Sequence, residues 1–166
     1  MMPDKFFKFD EQLSIGDAGE SEFKRYYSEL NPQKSKDRKI DFILNNGHTV
    51  ELKTDSYSME KTPNFFMEQY TVSGGKTSLG GPWRTKEHGV NLFVYYFLNN
   101  KVFFWFCPTT LCEFLDKYIE DNKLSKISIP NKGNNGEYYE AQGYKIPRDV
   151  VRPIMLKQHT ILIDNG

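Results

Sequence analysis

The chain has 166 residues, with 22 basic and 22 acidic side chains and 38% hydrophobic residues. That length suits one domain with a core of its own, and the clustering of apolar residues into runs excludes a disordered chain. A net charge of zero does not support non-specific binding to a polyanion, though a local basic patch could still serve, and two cysteines, Cys107 and Cys112, are too few for a disulfide framework or a structural zinc site.

The N-terminal run Met1-Met2-Pro3-Asp4-Lys5-Phe6 has no apolar signal core. No stretch reaches the ~18 apolar residues of a membrane span. The expected setting is reducing and cytoplasmic. Residues 18–30 read as the first helix, because Phe23, Tyr26, Tyr27 and Leu30 recur at helical spacing. Asp17 suits its N-cap with Glu20 three residues on, as in a capping box, and Asn31-Pro32 ends it.

A basic stretch follows, Lys34, Lys36, Arg38 and Lys39. Two short apolar runs come next, Ile40-Asp41-Phe42-Ile43-Leu44 and Thr49-Val50-Glu51-Leu52-Lys53, joined by Asn45-Asn46-Gly47-His48. A two-residue Asn46-Gly47 turn would set Asp41 against Leu52 and mix charge with apolar bulk on each face. A three-residue loop with left-handed Gly47 in a bulge pairs Asp41 with Glu51 and Phe42 with Val50. Ile40, Phe42, Val50 and Leu52 then share one face, and Asp41, Glu51 and Lys53 share the other. A one-residue slip inverts every side chain, so the apolar pattern selects the second register.

Residues 64–71 read as a third strand. A glycine-rich segment, Gly74 to Gly81, suits a mobile loop over a cleft. Its Gly-Gly-Lys-Thr-Ser is not a P-loop, because Tyr70 stands where the first glycine belongs. Pro82 to His88 suits a short helix, Leu92 to Leu98 a strand covered on both faces, and Val102 to Cys107 another strand. Residues 110–121 form a helix with Thr110 and Glu113 as a capping box. Residues 131–136 read as a surface loop and Ile161-Leu162-Ile163 as a terminal strand. The whole reads as a single domain, 1–166, with a core at about 17–121 and a C-terminal extension at about 122–166. Its class is α/β, a mixed central sheet flanked by helices.

Three charged side chains on one hairpin face are costly if buried unpaired. They are useful if they hold a divalent cation and a water beside a phosphate. Mg²⁺ takes a few carboxylates, keeps several waters and completes its shell with substrate phosphate, and Asp41 and Glu51 supply such carboxylates. Lys53 points the same way as Glu51, where an ammonium can orient the attacking water. The plainer reading is a solvated hairpin face with Glu51 and Lys53 as an ordinary charged pair. Three scattered histidines, His48, His88 and His159, do not suggest a zinc site.

Asp41, nine intervening residues, then Glu51-Leu52-Lys53 resembles the PD-(D/E)XK nuclease signature. That superfamily includes type II restriction enzymes, Holliday-junction resolvases and phage endonucleases. The resemblance spans roughly residues 17–98. It departs from the pattern at Ile40, which stands where the family often has proline. It implies a restriction-endonuclease-like α-β-β-β-α-β core and a Mg²⁺-dependent DNA endonuclease, with Mn²⁺ as a substitute metal. It also implies Asp41, Glu51 and the Leu52 carbonyl as metal ligands, and Lys53 as the residue that activates water. Glu20 matches the carboxylate that many members carry on the preceding helix. It would hold a second metal, or else only cap its helix. Glu68 and Gln69 are supporting candidates or plain strand residues. Lys34, Lys36, Arg38 and Lys39, with Arg84, Lys86 and His88 on the second helix, would contact DNA phosphates or else face solvent. Cutting both strands would suit a homodimer. The alternative is a catalytically inactive nuclease-fold module that binds nucleic acid or a protein partner.

Overall fold

The aromatic runs Leu92–Phe97 and Val102–Phe106 set the architecture, because side chains on both faces of each strand are apolar and both faces must be covered. In the computed structural model, which describes residues 7–37, 39–132 and 138–163, both are covered. The elements run β1 (Phe7–Lys8), α1 (Phe9–Tyr26), a 3₁₀ turn (Ser28–Leu30), β2 (Gln33–Lys34), β3 (Phe42–Ile43), β4 (Thr49–Asp55), β5 (Asn64–Ser73) and β6 (Lys76–Leu79). Then come α2 (Gly81–Glu87), β7 (Leu92–Phe97), β8 (Val102–Phe106), α3 (Pro108–Asp121), β9 (Ile127–Lys132), β10 (Tyr138–Pro147), α4 (Arg148–Val151), a second 3₁₀ turn (Arg152–Ile154) and β11 (Lys157–Thr160).

The central sheet has the order β11-β8-β7-β4-β3-β2. It is mixed: β4 and β7 are parallel, with Val50 opposite Leu92 and Lys53 opposite Tyr95, while the other neighbours are antiparallel. The chain is therefore of the α/β class, a mixed sheet flanked by helices. A second sheet, β1-β9-β10-β5-β6, packs against it. The strand expected at 64–71 is β5, and it belongs to this second sheet, paired with β10 and β6 rather than with β4.

On one face of the central sheet lies α1. Phe23 and Tyr27 pack with Phe42, Val50, Val94, Tyr96, Phe103 and Trp105, and Tyr96 stacks on Phe103 with ring centroids 3.7 Å apart. Removing one such aromatic from water is worth about 1.5–3 kcal/mol, and the ring pairs add about 0.5–1.5 kcal/mol. On the other face, Phe93, Tyr95, Phe97, Phe104 and Phe106 meet Phe65 and Met67 of β5, Ile146 of β10 and Leu111 and Leu115 of α3. The Trp83 indole donates to Asp116 at 2.9 Å and ties α2 to α3.

Several local expectations are corrected. The first helix begins at Phe9, not 18, and Asp17 lies within it rather than at its N-cap. It ends at Tyr26, and the remaining turn to Leu30 is 3₁₀, closed by Asn31 in the left-handed region. The glycine-rich segment is the β5–β6 hairpin, not a free loop. Helix α3 starts at Pro108 with no side-chain cap at Cys107, so Thr110 and Glu113 lie inside it. The last strand is Lys157–Thr160, paired with β8, and 161–163 are not in a strand. Part of the loop expected at 131–136 lies outside the described residues, but Asn131 and Lys132 are in β9. Among the described residues, no helix is long and apolar enough to cross a membrane.

Candidate active site

The β3–β4 hairpin fixes the site. Gly47, at φ 86°, closes the turn by donating to the Leu44 carbonyl, and Leu44 donates to His48. Phe42 then faces Val50, and the Asp41 amide donates to the Val50 carbonyl. This is the bulged register. Phe42 and Val50 are fully buried under α1, so Asp41, Glu51 and Lys53 are left on the opposite face, toward the second sheet.

Asp41 is anchored by its own strand pair, its Oδ2 accepting from the Leu52 amide at 2.8 Å. Burial, then the neighbouring Asp41 carboxylate, push Glu51 up to about 8, with a carboxyl–carboxyl hydrogen bond contributing. Asp41 is raised as well, chiefly by burial, although the Leu52 amide and Lys34 pull it down. The compensating cations form only long ion pairs: Lys34 Nζ lies 3.9 Å from Asp41, and Arg84 Nη1 lies 3.7 Å from Glu51. The two acids touch each other while their cations stand at the edge of ion-pair range. Desolvation and repulsion therefore win, and both carboxyls are pushed toward their protonated forms, Glu51 to about 8.

Glu51 and Lys53 open into a cavity of about 340 Å³, with Glu68 and Thr71 from β5, Ser78 and Leu79 from β6, and Arg84 from α2 on its walls. The Thr71 hydroxyl holds Glu68 Oε1 at 3.2 Å. No hydrogen bond or ion pair joins Lys53 to another described side chain, which leaves its ammonium available to the cavity. The Leu52 side chain packs toward α1, and its amide points at Asp41. Its carbonyl leaves the same edge of β4, beyond the end of β3, because a strand residue directs both backbone groups to one side.

Glu20 reaches the site indirectly, bridged by Lys34, whose Nζ is 2.6 Å from Glu20 Oε1 and 3.9 Å from Asp41. Arg84 is the one member of the α2 group at the cavity. Lys86 is exposed and bears on the Cys112 thiol of α3, and His88 sits at the helix end with its Nδ1 buried and unpaired among the described residues. Gln69 does not line the cavity, and its carbonyl accepts from Gly80. Lys36 and Lys39 are exposed on the turn before β3, and Arg38 lies outside the described residues.

The donor set suits a hard cation in part. Two adjacent carboxylates that cannot both ionise comfortably are oxygen ligands that a dication would relieve. Among the described residues, no three His, Cys, Asp or Glu side chains converge as a complete cage. Such a site therefore needs water, backbone or substrate oxygens, as Mg²⁺ sites generally do. Asp55, which sequence reasoning missed, continues the alternation 51, 53, 55. Its Oδ2 accepts from the buried Tyr95 hydroxyl at 2.5 Å. No protein-family model matches the chain, and no curated protein matches it either.

Proposed function

We propose that the protein is a Mg²⁺-dependent DNA endonuclease, with Mn²⁺ as a substitute metal, acting from the cytoplasm. The observation that carries this reading is the half-buried Asp41–Glu51 pair on one hairpin face, with Glu51 and Lys53 opening into one cavity. Asp41 and Glu51, with the Leu52 carbonyl, would hold the metal, with Glu20, linked through Lys34, and Glu68, on the cavity wall, as further carboxylates that would support it. A divalent cation bound there supplies Lewis-acid stabilisation of the phosphate and lowers the pKa of a bound water.

The chain's own groups do the remainder. Lys53 orients the attacking water and stabilises its deprotonated form. Arg84, on the cavity wall beside Glu51, neutralises a non-bridging phosphate oxygen. Lys34 fixes Glu20 against Asp41 and presents charge to the incoming strand. A homodimer would supply two such sites for the two strands of a duplex.

The incomplete carboxylate set favours a second reading, a nuclease-fold module that binds nucleic acid without cutting it. One experiment separates them. Supercoiled, linear, branched and single-stranded DNA are incubated with the protein in Mg²⁺, Mn²⁺ or EDTA, alongside Glu51→Ala and Lys53→Ala. The nuclease reading expects metal-dependent cutting that both substitutions reduce by orders of magnitude. Cutting that survives Glu51→Ala, or none by the wild type with any metal, sinks it.

A further inference from the structure

The cavity at Glu51 is followed along β4 by two others that share lining residues with one another. Lys53 also lines a small cavity of about 100 Å³ whose walls include Asp55, Tyr57 and Phe66. Those three residues in turn line a cavity of about 620 Å³ between the 56–63 connection and β9–β10. Glu51, Lys53 and Asp55 project from one face of β4, so the line from the acidic pair to the outer cavity runs roughly 13 Å along a strand.

The outer cavity carries a different chemistry. Tyr57 is 54% exposed at its wall, Lys61 and Lys145 are exposed residues of its lining, Asn64 and Ser128 add polar groups, and Pro130 adds apolar surface. Its volume accommodates a nucleotide or two, but not a duplex. An exposed aromatic residue and lysines lining one cavity are a combination by which proteins hold unpaired bases and their phosphates.

The wall bearing Tyr57 and Lys61 is held in place before any ligand arrives. The Arg148 guanidinium donates to the Thr62 and Met59 carbonyls, and its amide donates to Pro63. Asn100 Oδ1 accepts from the Met59 amide at 2.8 Å, and Asn99 Nδ2 donates to Ser56 at 2.6 Å. Asp55 Oδ1 accepts from the Tyr57 amide at 2.8 Å, while the Tyr95 hydroxyl fixes its other oxygen. A connection stapled at this many backbone groups loses little entropy on binding.

We propose that this outer cavity binds an unpaired segment of the nucleic-acid strand whose scissile phosphate lies at Glu51 and Lys53, with a base stacked on Tyr57 and adjacent phosphates on Lys61 and Lys145. The pocket rests on its own residues; its link to a scissile phosphate rests on the nuclease reading above. The substrate class is then a strand with single-stranded character beside the cut: an overhang, flap or melted junction.

The test is fluorescence anisotropy with a short 5′-fluorescein oligothymidylate in EDTA, where no cutting occurs. Tyr57→Ala is expected to weaken binding about tenfold, while Tyr57→Phe binds like the wild type, because the ring and not the hydroxyl provides the stacking surface. The double variant Lys61→Ala, Lys145→Ala is expected to weaken binding and flatten its salt dependence. Binding unchanged in Tyr57→Ala and in the double variant, or no binding by the wild type, overturns the proposal. Failure of the nuclease reading looks different: a wild type that binds the oligonucleotide through Tyr57 yet cuts nothing with Mg²⁺ or Mn²⁺ upholds the pocket and removes its link to cleavage.

Discussion

Glu51 concentrates the chemistry of this chain, because it keeps a proton at a pH where an ordinary carboxyl has lost it. Between its unfolded value and about 8, the folded state binds more protons than the unfolded one, so the metal-free protein loses stability as pH rises through that window. Glu51→Gln removes the repulsion and offers Asp41 a donor. At pH 8 in EDTA it is expected to raise stability by on the order of 2 kcal/mol and to flatten the pH dependence, as urea unfolding would read. The same variant should abolish cutting. Lys53→Ala should lower the cleavage rate at least ~100-fold with metal affinity unchanged, since the ammonium acts on water and not as a ligand; calorimetry alongside rates checks the split. Asp41, Glu51 and Lys53 were legible because strand alternation and burial of Phe42 and Val50 leave them no other face. Arg84 could be picked out as basic, but not separated from Lys86 and His88, since the seating of α2 on β5 and α3 decides which one turns inward.

At the level of elements, the contact between α1 and β4 is the tightest seam in the site. A Cβ on Gly19 would lie 1.9 Å from the Thr54 hydroxyl, so the helix sits directly on the strand that carries Glu51 and Lys53. Gly19→Ala is expected to push α1 outward, cost about 1–3 kcal/mol by overpacking, and pull Glu20 and Lys34 away from Asp41. Thermal denaturation and cleavage rate should fall together, and an unchanged melting point would show the seam to be loose. The sequence announced the hairpin, α2, β7 and β8 through turn residues and unbroken apolar runs. It misled at the start of α1, where Asp17 and Glu20 imitate a cap although the helix continues back to Phe9, and at Thr110 and Glu113, which imitate a cap inside α3. Strands β9 and β10 escaped notice because their burial depends on partners distant in sequence, with Tyr144 packing beside Met67 only once β10 lies along β5.

For the molecule as a whole, a ligand that binds only the folded site should register as stability. Mg²⁺ at ten times its dissociation constant adds ~1.4 kcal/mol, about 3–5 °C in melting temperature for a chain of this size. The shift should vanish in Glu51→Gln and grow from pH 6 to pH 8 as the acidic pair gives up its proton. No shift at either pH would argue against metal binding by this pair. The zero net charge balances 22 basic against 22 acidic groups, so local placement matters more than the total, with Lys34 beside Asp41, Arg84 at the inner cavity and Lys61 and Lys145 at the outer one.

The pairing order of the strands also bears on synthesis. β4 finds its second neighbour only when Leu92 onward has emerged, and the wall facing it closes only when Tyr139 can align with Ser73. Such distant pairings form slowly and late. A growing chain on the ribosome thus displays Asp41 and Glu51 before the strands that enclose them exist, and the surrounding walls assemble only once β10 has been made.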